Sequence, residues 1–196
     1  MFGDKKYNDE IISLDNDPLI LVNHQDEVIG SMEKADCHLG KGHLHRAFSI
    51  FIFNQAGDVL LQKRSQQKFL WPTYWSNACC SHPRVGESDE DAAKRRLFEE
   101  LNINSNLKFL YKFEYKSSFK DIGVEHEMCS VWIGKAEPSD IVVNNNEICD
   151  WHFVSTQELD RLLTLHPENY TPWMKMEWSR ICQDHKDTFK SLWLEV

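Results

Sequence analysis

The 196-residue chain has no apolar run approaching the roughly 20 residues that a bilayer-spanning helix requires, which excludes a helical membrane protein. Its N-terminus has no basic segment followed by an apolar stretch, so no secretory signal is expected. The six cysteines (Cys37, Cys79, Cys80, Cys129, Cys149, Cys182) therefore read as thiols in a reducing cytoplasm rather than as disulfides. Positive charge is scarce. With 22 lysines and arginines against 31 aspartates and glutamates, the formal net charge is -9, which argues against nonspecific nucleic-acid binding because that needs a clustered cationic face. No internal repeat and no low-complexity linker divides the chain. A second CxxC or CxxH pair is also missing, so Cys79-Cys80-Ser81-His82 is at most half of a structural zinc site.

What is present is one domain with additions, long enough to bury a substantial core. Residues 1–18 are polar and aperiodic and read as a flexible arm. Residues 19–174 read as the globular domain and 175–196 as a helical extension. Phe48 to Phe53 and Val59 to Gln62 flank the turn-forming Asn54-Gln55-Ala56-Gly57-Asp58, which predicts a β-hairpin. Leu107, Phe109, Tyr111, Phe113 and Tyr115 alternate with polar residues and predict a half-buried strand. Between them Ala93, Leu97 and Leu101 recur at helical spacing behind Ser88, a capping residue, with Asp91 at the capping-box position. Asn102 can end that helix in a left-handed conformation. Trp151 to Leu163 reads as a strand followed by a helix. Mixed strands and helices around one sheet make the class α+β or α/β.

Two segments carry the chemistry. On a strand, Glu125 and Glu127 point the same way as Cys129 and Val131, toward the interior. Two buried like charges repel and lose hydration unless a cation neutralises them or one is protonated; the alternative is a solvent-facing polar edge. His38, His43, His45 and His82 supply imidazoles, and His with Glu is a common set for a divalent metal. Spacing alone favours His43 with His45. Lys63, Arg64 and Lys68 follow a strand, and Arg95 and Arg96 lie on the helix. Arg96 and Glu100, one turn apart, could offer a cation to an anion and a carboxylate to its Mg²⁺, or form a surface ion pair worth a few tenths of a kcal/mol. Trp71, Trp75, Tyr115 and Trp173 are core aromatics by default, although a tryptophan face can stabilise a cation.

Ser81 to Ile103 resembles a degenerate Nudix box, G-x5-E-x7-R-E-U-x-E-E-x-G-U. Glu87, Arg95, Leu97, Glu99, Glu100 and Ile103 match it, while Ser81, Arg96 and Asn102 replace Gly, Glu and Gly. Arg96 puts a cation where the pyrophosphohydrolases keep a metal-binding carboxylate, which implies changed chemistry. Trp71 to Pro83 resembles the W-P-x-x-W-[ST]-N-[ST]-x-C-x-H-P segment of the type I isopentenyl-diphosphate isomerases. Val124-Glu125-His126-Glu127 resembles their E-x-E strand, Thr171-Pro172-Trp173-Met174 their S/T-P-W segment, and Lys34-x3-His38-x6-His45 their metal-binding start. The resemblance spans roughly residues 18 to 178.

The resemblance implies an α+β Nudix-like fold, an α/β sandwich with a mixed central sheet flanked by helices, and reversible interconversion of isopentenyl and dimethylallyl diphosphate, supplying isoprenoid precursors, with no redox step and no flavin. It implies that His38, His45, His82, Glu125 and Glu127 bind one divalent metal (Mn²⁺, Mg²⁺ or Zn²⁺), displacing His43 from the set. Cys80 and Glu127 would be an opposed acid-base pair, with Tyr115 assisting protonation and Trp173 facing a tertiary carbocation. Lys34, Arg64, Lys68 and Arg96 would hold the diphosphate, with a second Mg²⁺ bridged by Glu100. The partner is a small-molecule diphosphate, with neither nucleic acid nor membrane involved, and the chain is expected to be a cytoplasmic monomer or weak dimer. A nucleoside-diphosphate hydrolase is the main rival, and an inert binding module the second.

Overall fold

In the computed structural model, which describes residues 6–185, the chain opens with β1 (Lys6–Asn8), β2 (Pro18–Val22) and β3 (Val28–Glu33). A short helix α1 (Lys34–Cys37) leads to β4 (His45–Phe53), β5 (Val59–Arg64), β6 (Trp75–Ser76) and β7 (Cys79–Ser81). Helix α2 (Asp89–Leu101) follows, then the long strands β8 (Lys108–Phe119) and β9 (Gly123–Lys135). The described chain closes with β10 (Val142–Asn144), β11 (Ile148–Val154), α3 (Thr156–Leu165) and α4 (Pro172–Asp184).

Strand β4 organises the molecule. Along one edge it runs parallel to β9, from His45 opposite Glu127 to Phe53 opposite Lys135; along the other it meets β2, β7 and β5 in turn, all antiparallel. Its side chains alternate with the period of two that a pleated strand imposes. Phe48, Ile50 and Ile52 pack with Ala92, Ala93, Leu97 and Leu101 of α2. Ala47, Phe51 and Phe53 pack on the opposite face with Tyr111 and Tyr115 of β8 and with Trp173, Met174 and Trp178 of α4. A nine-stranded mixed sheet is thus covered by α2 on one face and α4 on the other.

The helix expected over residues 88–101 forms from Asp89 to Leu101, with the Ser88 hydroxyl accepting the Asp91 amide at 3.1 Å and Asn102 ending it at φ 57°. Ser88→Ala is expected to cost about 1 kcal/mol of stability, read as a lower urea midpoint at unchanged slope. The hairpin turn also forms, but β4 and β5 pair there only through Phe53 and Val59. They then part to take other neighbours. In β8 a register shift between Phe109 and Tyr111 breaks the expected alternation, leaving Phe109 exposed against Trp132 while Tyr111 and Tyr115 stay buried.

The segment read as an arm includes β1, which pairs in parallel with β10. Its following residues reach the site, where the Ile12 carbonyl accepts Arg96 and Ser13 Oγ accepts Lys34. Helix α4 begins at Pro172, ahead of the helical extension expected from Lys175, because its apolar stripe starts at Trp173. Residues 186–196 of that extension lie outside the described residues. None of the described helices is long and apolar enough to cross a membrane.

Candidate active site

One cavity of about 570 Å³ opens at the end of the sheet where β4 begins. Its first cluster comes from β9, whose pleat points Glu125 and Glu127 inward together, each 8% exposed. His45 stands opposite Glu127 in the β4–β9 register, His82 follows β7, and His38 caps α1. The His38 loop is held tightly against β9, where the Val124 amide donates to the His38 carbonyl at 2.8 Å. Gly42, at φ +68°, lets this loop pass: a Cβ there would lie 2.8 Å from Val124 Cγ1.

The ligand-type atoms of His38, His45, His82, Glu125 and Glu127 all lie within 4.8 Å of one another. His45 Nε2 faces His82 Nε2 at 3.2 Å, and His82 Nε2 lies 3.2 Å from Glu127 Oε1. His38 Nε2 approaches Glu125 Oε2 at 2.9 Å, yet neither atom has a well-directed hydrogen bond among the described residues. Nδ1 of His38 faces the Lys34 carbonyl at 2.6 Å and Nδ1 of His45 the His43 carbonyl at 2.8 Å. If those nitrogens carry the protons, the Nε2 lone pairs turn to the common centre.

Burial, with His45 and His38 beside it, holds His82 well below the usual imidazole range, in the neutral form a ligand needs. Burial disfavours ionised Glu127, but the adjacent His45 ring and the hydrogen bond from Tyr115 outweigh it and lower its pKa. Converging neutral imidazoles and buried carboxylates fit a divalent cation. His43, which spacing favoured, is exposed and offers this cluster only its carbonyl.

Lys34, Arg64, Lys68 and Arg96 line the same cavity. Arg64 is oriented by the carbonyls of Trp71 and Leu70, at 3.0 and 2.8 Å, and its guanidinium lies 5.2 Å from the Trp173 ring centroid. Arg96 is bound to Glu100 at 2.5 Å and lies 3.4 Å from Glu147, which also pairs with Lys68. Glu147 was not anticipated from the sequence. Burial alone would raise its pKa, but Lys68 and Arg96 hold it well below the usual carboxylate range. Glu100 is 1% exposed beyond Arg96 and is not among the residues lining the cavity. The Arg96–Glu100 pair that the sequence placed on a helix face is therefore a buried ion pair rather than a surface one. Glu87 and Arg95 of the box form a two-bond fork at 2.7 and 2.8 Å that ties the preceding loop to α2.

The third wall holds Cys80. Its Sγ is 3.1 Å from Asn77 Oδ1, 3.2 Å from Trp173 Nε1 and 3.3 Å from Ser49 Oγ. Burial pushes the thiol up to about 12, with the Glu177 carboxyl adding to the effect. Across the cavity the Tyr115 hydroxyl donates to Glu127 Oε2 at 2.6 Å, and burial followed by that carboxylate raises the phenol well above its ordinary value. Cys80 and Glu127 come from strands on opposite edges of β4. Trp173, Cys80, Tyr115 and Glu127 all line the one cavity. Ser49 and Glu177 escaped the sequence reading, although each interrupts an apolar row, the first on β4 and the second one turn beyond Trp173.

A mixed sheet between helices, with a forked box helix and a His/Glu cluster at one end, defines the class as a Nudix domain. The sequence profile of the NUDIX domain matches residues 43–175. A solved structure from Deinococcus radiodurans shares the fold at TM-score 0.69 and 23% identity, covering 83% of this chain and 98% of that one. Isopentenyl-diphosphate Delta-isomerase 1 of Photorhabdus laumondii is 43% identical over 173 residues, 86% of this chain and 97% of the relative. The isopentenyl-diphosphate Delta-isomerase of Pectobacterium atrosepticum is 35% identical over 174 residues, 88% and 95% of the two chains. The chain belongs to the NUDIX family and, within it, to the isopentenyl-diphosphate Delta-isomerases.

Proposed function

We propose that this protein is an isomerase that interconverts isopentenyl diphosphate and dimethylallyl diphosphate, a step in isoprenoid precursor supply, by adding a proton to the alkene and removing one from the far side. The observation that carries this reading is the single cavity in which four cations, a buried thiol, a tryptophan ring and a tyrosine–glutamate pair meet. Lys34, Arg64, Lys68 and Arg96 hold the diphosphate end, and Glu147 gives way to it. Charge-assisted contacts of this kind supply the binding energy that a five-carbon tail cannot.

At the hydrocarbon end, Tyr115 and Glu127 form one proton-carrying unit and Cys80 the other. Protonation of the terminal alkene carbon leaves a tertiary cation, and loss of a proton from the carbon next to the diphosphate-bearing one completes the shift. The thiol keeps its proton at neutral pH, so it serves as donor in one direction and, once deprotonated, as acceptor in the other. Trp173 faces the cation, and the buried walls keep water from capturing it. His38, His45, His82, Glu125 and Glu127 would hold a divalent metal that fixes the Glu127 carboxylate, while Mg²⁺ arriving with the substrate, with Glu100 as a carboxylate ligand, would offset diphosphate charge. The reaction has no redox step and requires no flavin. The same reading makes the protein a cytoplasmic monomer or weak dimer.

The test is to incubate the protein with Mg²⁺ and isopentenyl diphosphate, identify products by NMR and assay released phosphate. Dimethylallyl diphosphate without phosphate release supports the isomerase; unchanged substrate, together with hydrolysis of a nucleoside diphosphate derivative, moves the protein to the hydrolases. A tryptophan face over a desolvated cation contributes about 2 kcal/mol, so Trp173→Leu is expected to lower kcat roughly 30-fold, with Trp173→Phe falling less. Equal losses in the two variants would remove the ring's electrostatic role.

A further inference from the structure

The diphosphate end of the cavity carries a carboxylate that the substrate displaces, and the chemistry above gives it no new partner. Glu147 stands in the turn between β10 and β11, is 2% exposed and lines the cavity. Lys68 and Arg96 both contact the same oxygen, Oε2, with Arg96 Nη2 at 3.4 Å. Together they hold the carboxyl well below the usual carboxylate range, so it is ionised at neutral pH. The other carboxylates that line the cavity are placed elsewhere: Glu125 and Glu127 belong to the His/Glu cluster, and Asp15 is exposed.

The main chain around Glu147 is fixed. Its amide donates to the Asn144 carbonyl at 3.0 Å, and its carbonyl accepts the Ser65 amide at 2.9 Å. The Ser65 carbonyl in turn accepts the Lys68 amide at 3.2 Å, so the turns that carry Glu147 and Lys68 are tied together. A change of partner at Glu147 is therefore a rotation of its side chain on the cavity wall.

The four cations differ in what they hold. Arg64 and Lys34 are oriented by neutral oxygens, the carbonyls of Trp71 and Leu70 and the hydroxyl of Ser13. Lys68 and Arg96 hold carboxylates instead. An entering diphosphate reaches the first pair without breaking an ion pair, but it takes the second pair in competition with Glu147. Once displaced, a carboxylate so buried lacks a counterion, which is costly. The cation that enters with the substrate is Mg²⁺, an ion commonly held by one or two carboxylates together with substrate phosphates.

We propose that Glu147 exchanges partners when the diphosphate binds, giving up Lys68 and Arg96 to the phosphates and becoming a ligand of the Mg²⁺ that accompanies them. The inference rests on the diphosphate reading of this cavity given above. No covalent bond changes. Without Mg²⁺ the carboxylate competes with the substrate; with Mg²⁺ the competitor becomes a contact. Glu147 is thus the residue that couples Mg²⁺ to diphosphate binding.

The test titrates inorganic pyrophosphate into the wild type, Glu147→Gln and Glu147→Asp by calorimetry, each protein carrying one equivalent of Zn²⁺ for the His/Glu cluster, with and without excess Mg²⁺. The wild type is expected to bind pyrophosphate more tightly with Mg²⁺. Glu147→Gln is expected to bind metal-free pyrophosphate about tenfold more tightly than wild type and to lose about tenfold of the gain from Mg²⁺. Glu147→Asp keeps the charge with a shorter reach, so both shifts are expected in the same direction and smaller; it decides the matter by the same criteria if the amide variant does not fold. A Mg²⁺ gain equal to that of wild type overturns the exchange, and so does metal-free binding no tighter than wild type, which would make Glu147 a support for Lys68 and Arg96. A wild type that binds pyrophosphate in neither condition overturns the diphosphate reading itself.

Thermal unfolding without Mg²⁺ gives a second readout. Glu147→Gln deprives two buried cations of a carboxylate, so its Tm is expected to lie below that of wild type and to rise further on adding pyrophosphate. An equal rise in the two proteins would mean that the anion does not take the place of the carboxylate, and would contradict the inference.

Discussion

Cys80→Ala is expected to abolish isomerisation, while Cys79→Ala retains most of it. The two thiols are neighbours in sequence, and the pleat of β7 separates them. Cys79 pairs with Ile50 and is buried with Ala92, Ala93 and Leu97 under α2, on the face of the sheet away from the cavity. Cys80 pairs with Ser49 and opens into the cavity beside Trp173. Removing Sγ from residue 80 takes away one of the two proton carriers, and general acid–base groups contribute about 10² to 10⁴ in rate, more when nothing can replace them. Removing Sγ from residue 79 leaves a small apolar void, a cost in stability of about 1 kcal/mol rather than in chemistry. Steady-state rates of both variants decide the matter, and the reverse ranking would overturn the assignment of the thiol.

Glu127→Gln is expected to lower kcat by about 10³ or more, and added metal is expected not to restore it. The side chain has two duties in the proposed mechanism. One oxygen accepts the Tyr115 hydroxyl and the other faces His82 in the metal-binding cluster. An amide at this position can neither carry the proton nor present an anionic ligand. Glu125→Gln separates the duties, because Glu125 belongs to the cluster but is not the partner of Tyr115. Its expected defect is weaker metal binding, of the order of 10- to 100-fold, with activity recovering as the metal concentration is raised. Titration of both variants with Mg²⁺, Mn²⁺ and Zn²⁺, with activity and bound metal followed together, checks the difference. If raised metal restores both variants alike, Glu127 is a ligand alone.

Local signals made much of this molecule readable from its sequence. Helix α2 carries its own start and stop in Ser88 and Asn102, and its apolar stripe fixes the face it buries. Strand β9 shows its buried face through Glu125, Glu127 and Cys129, since a strand's period is two. Groups without a local signature were harder to place. The register shift in β8 depends on how that strand meets β9, and nothing in Leu107 to Tyr115 announces it. Parallel pairing of β1 with β10 joins segments far apart in the chain, and a three-residue strand has no periodicity to read.

The cation sites show the same limit. Lys68 and Arg96 could be read as phosphate ligands from charge alone, but their shared partner Glu147 comes from the turn before β11. Glu100 was expected beside a metal because it stands where the box motif has a carboxylate. Its orientation is decided by Arg96, four residues away on the same helix face, which closes a buried ion pair between them. The substitution that sets this chain apart from the hydrolase pattern therefore also changes the surroundings of its neighbour.

Isomerisation carried out in D₂O tests the central claim most directly. If protons are added at one end of the allylic system and removed at the other by Tyr115–Glu127 and Cys80, dimethylallyl diphosphate should form with deuterium in its new methyl group and no phosphate should be released. Product formed without deuterium, or a substrate that is hydrolysed rather than rearranged, would contradict the account.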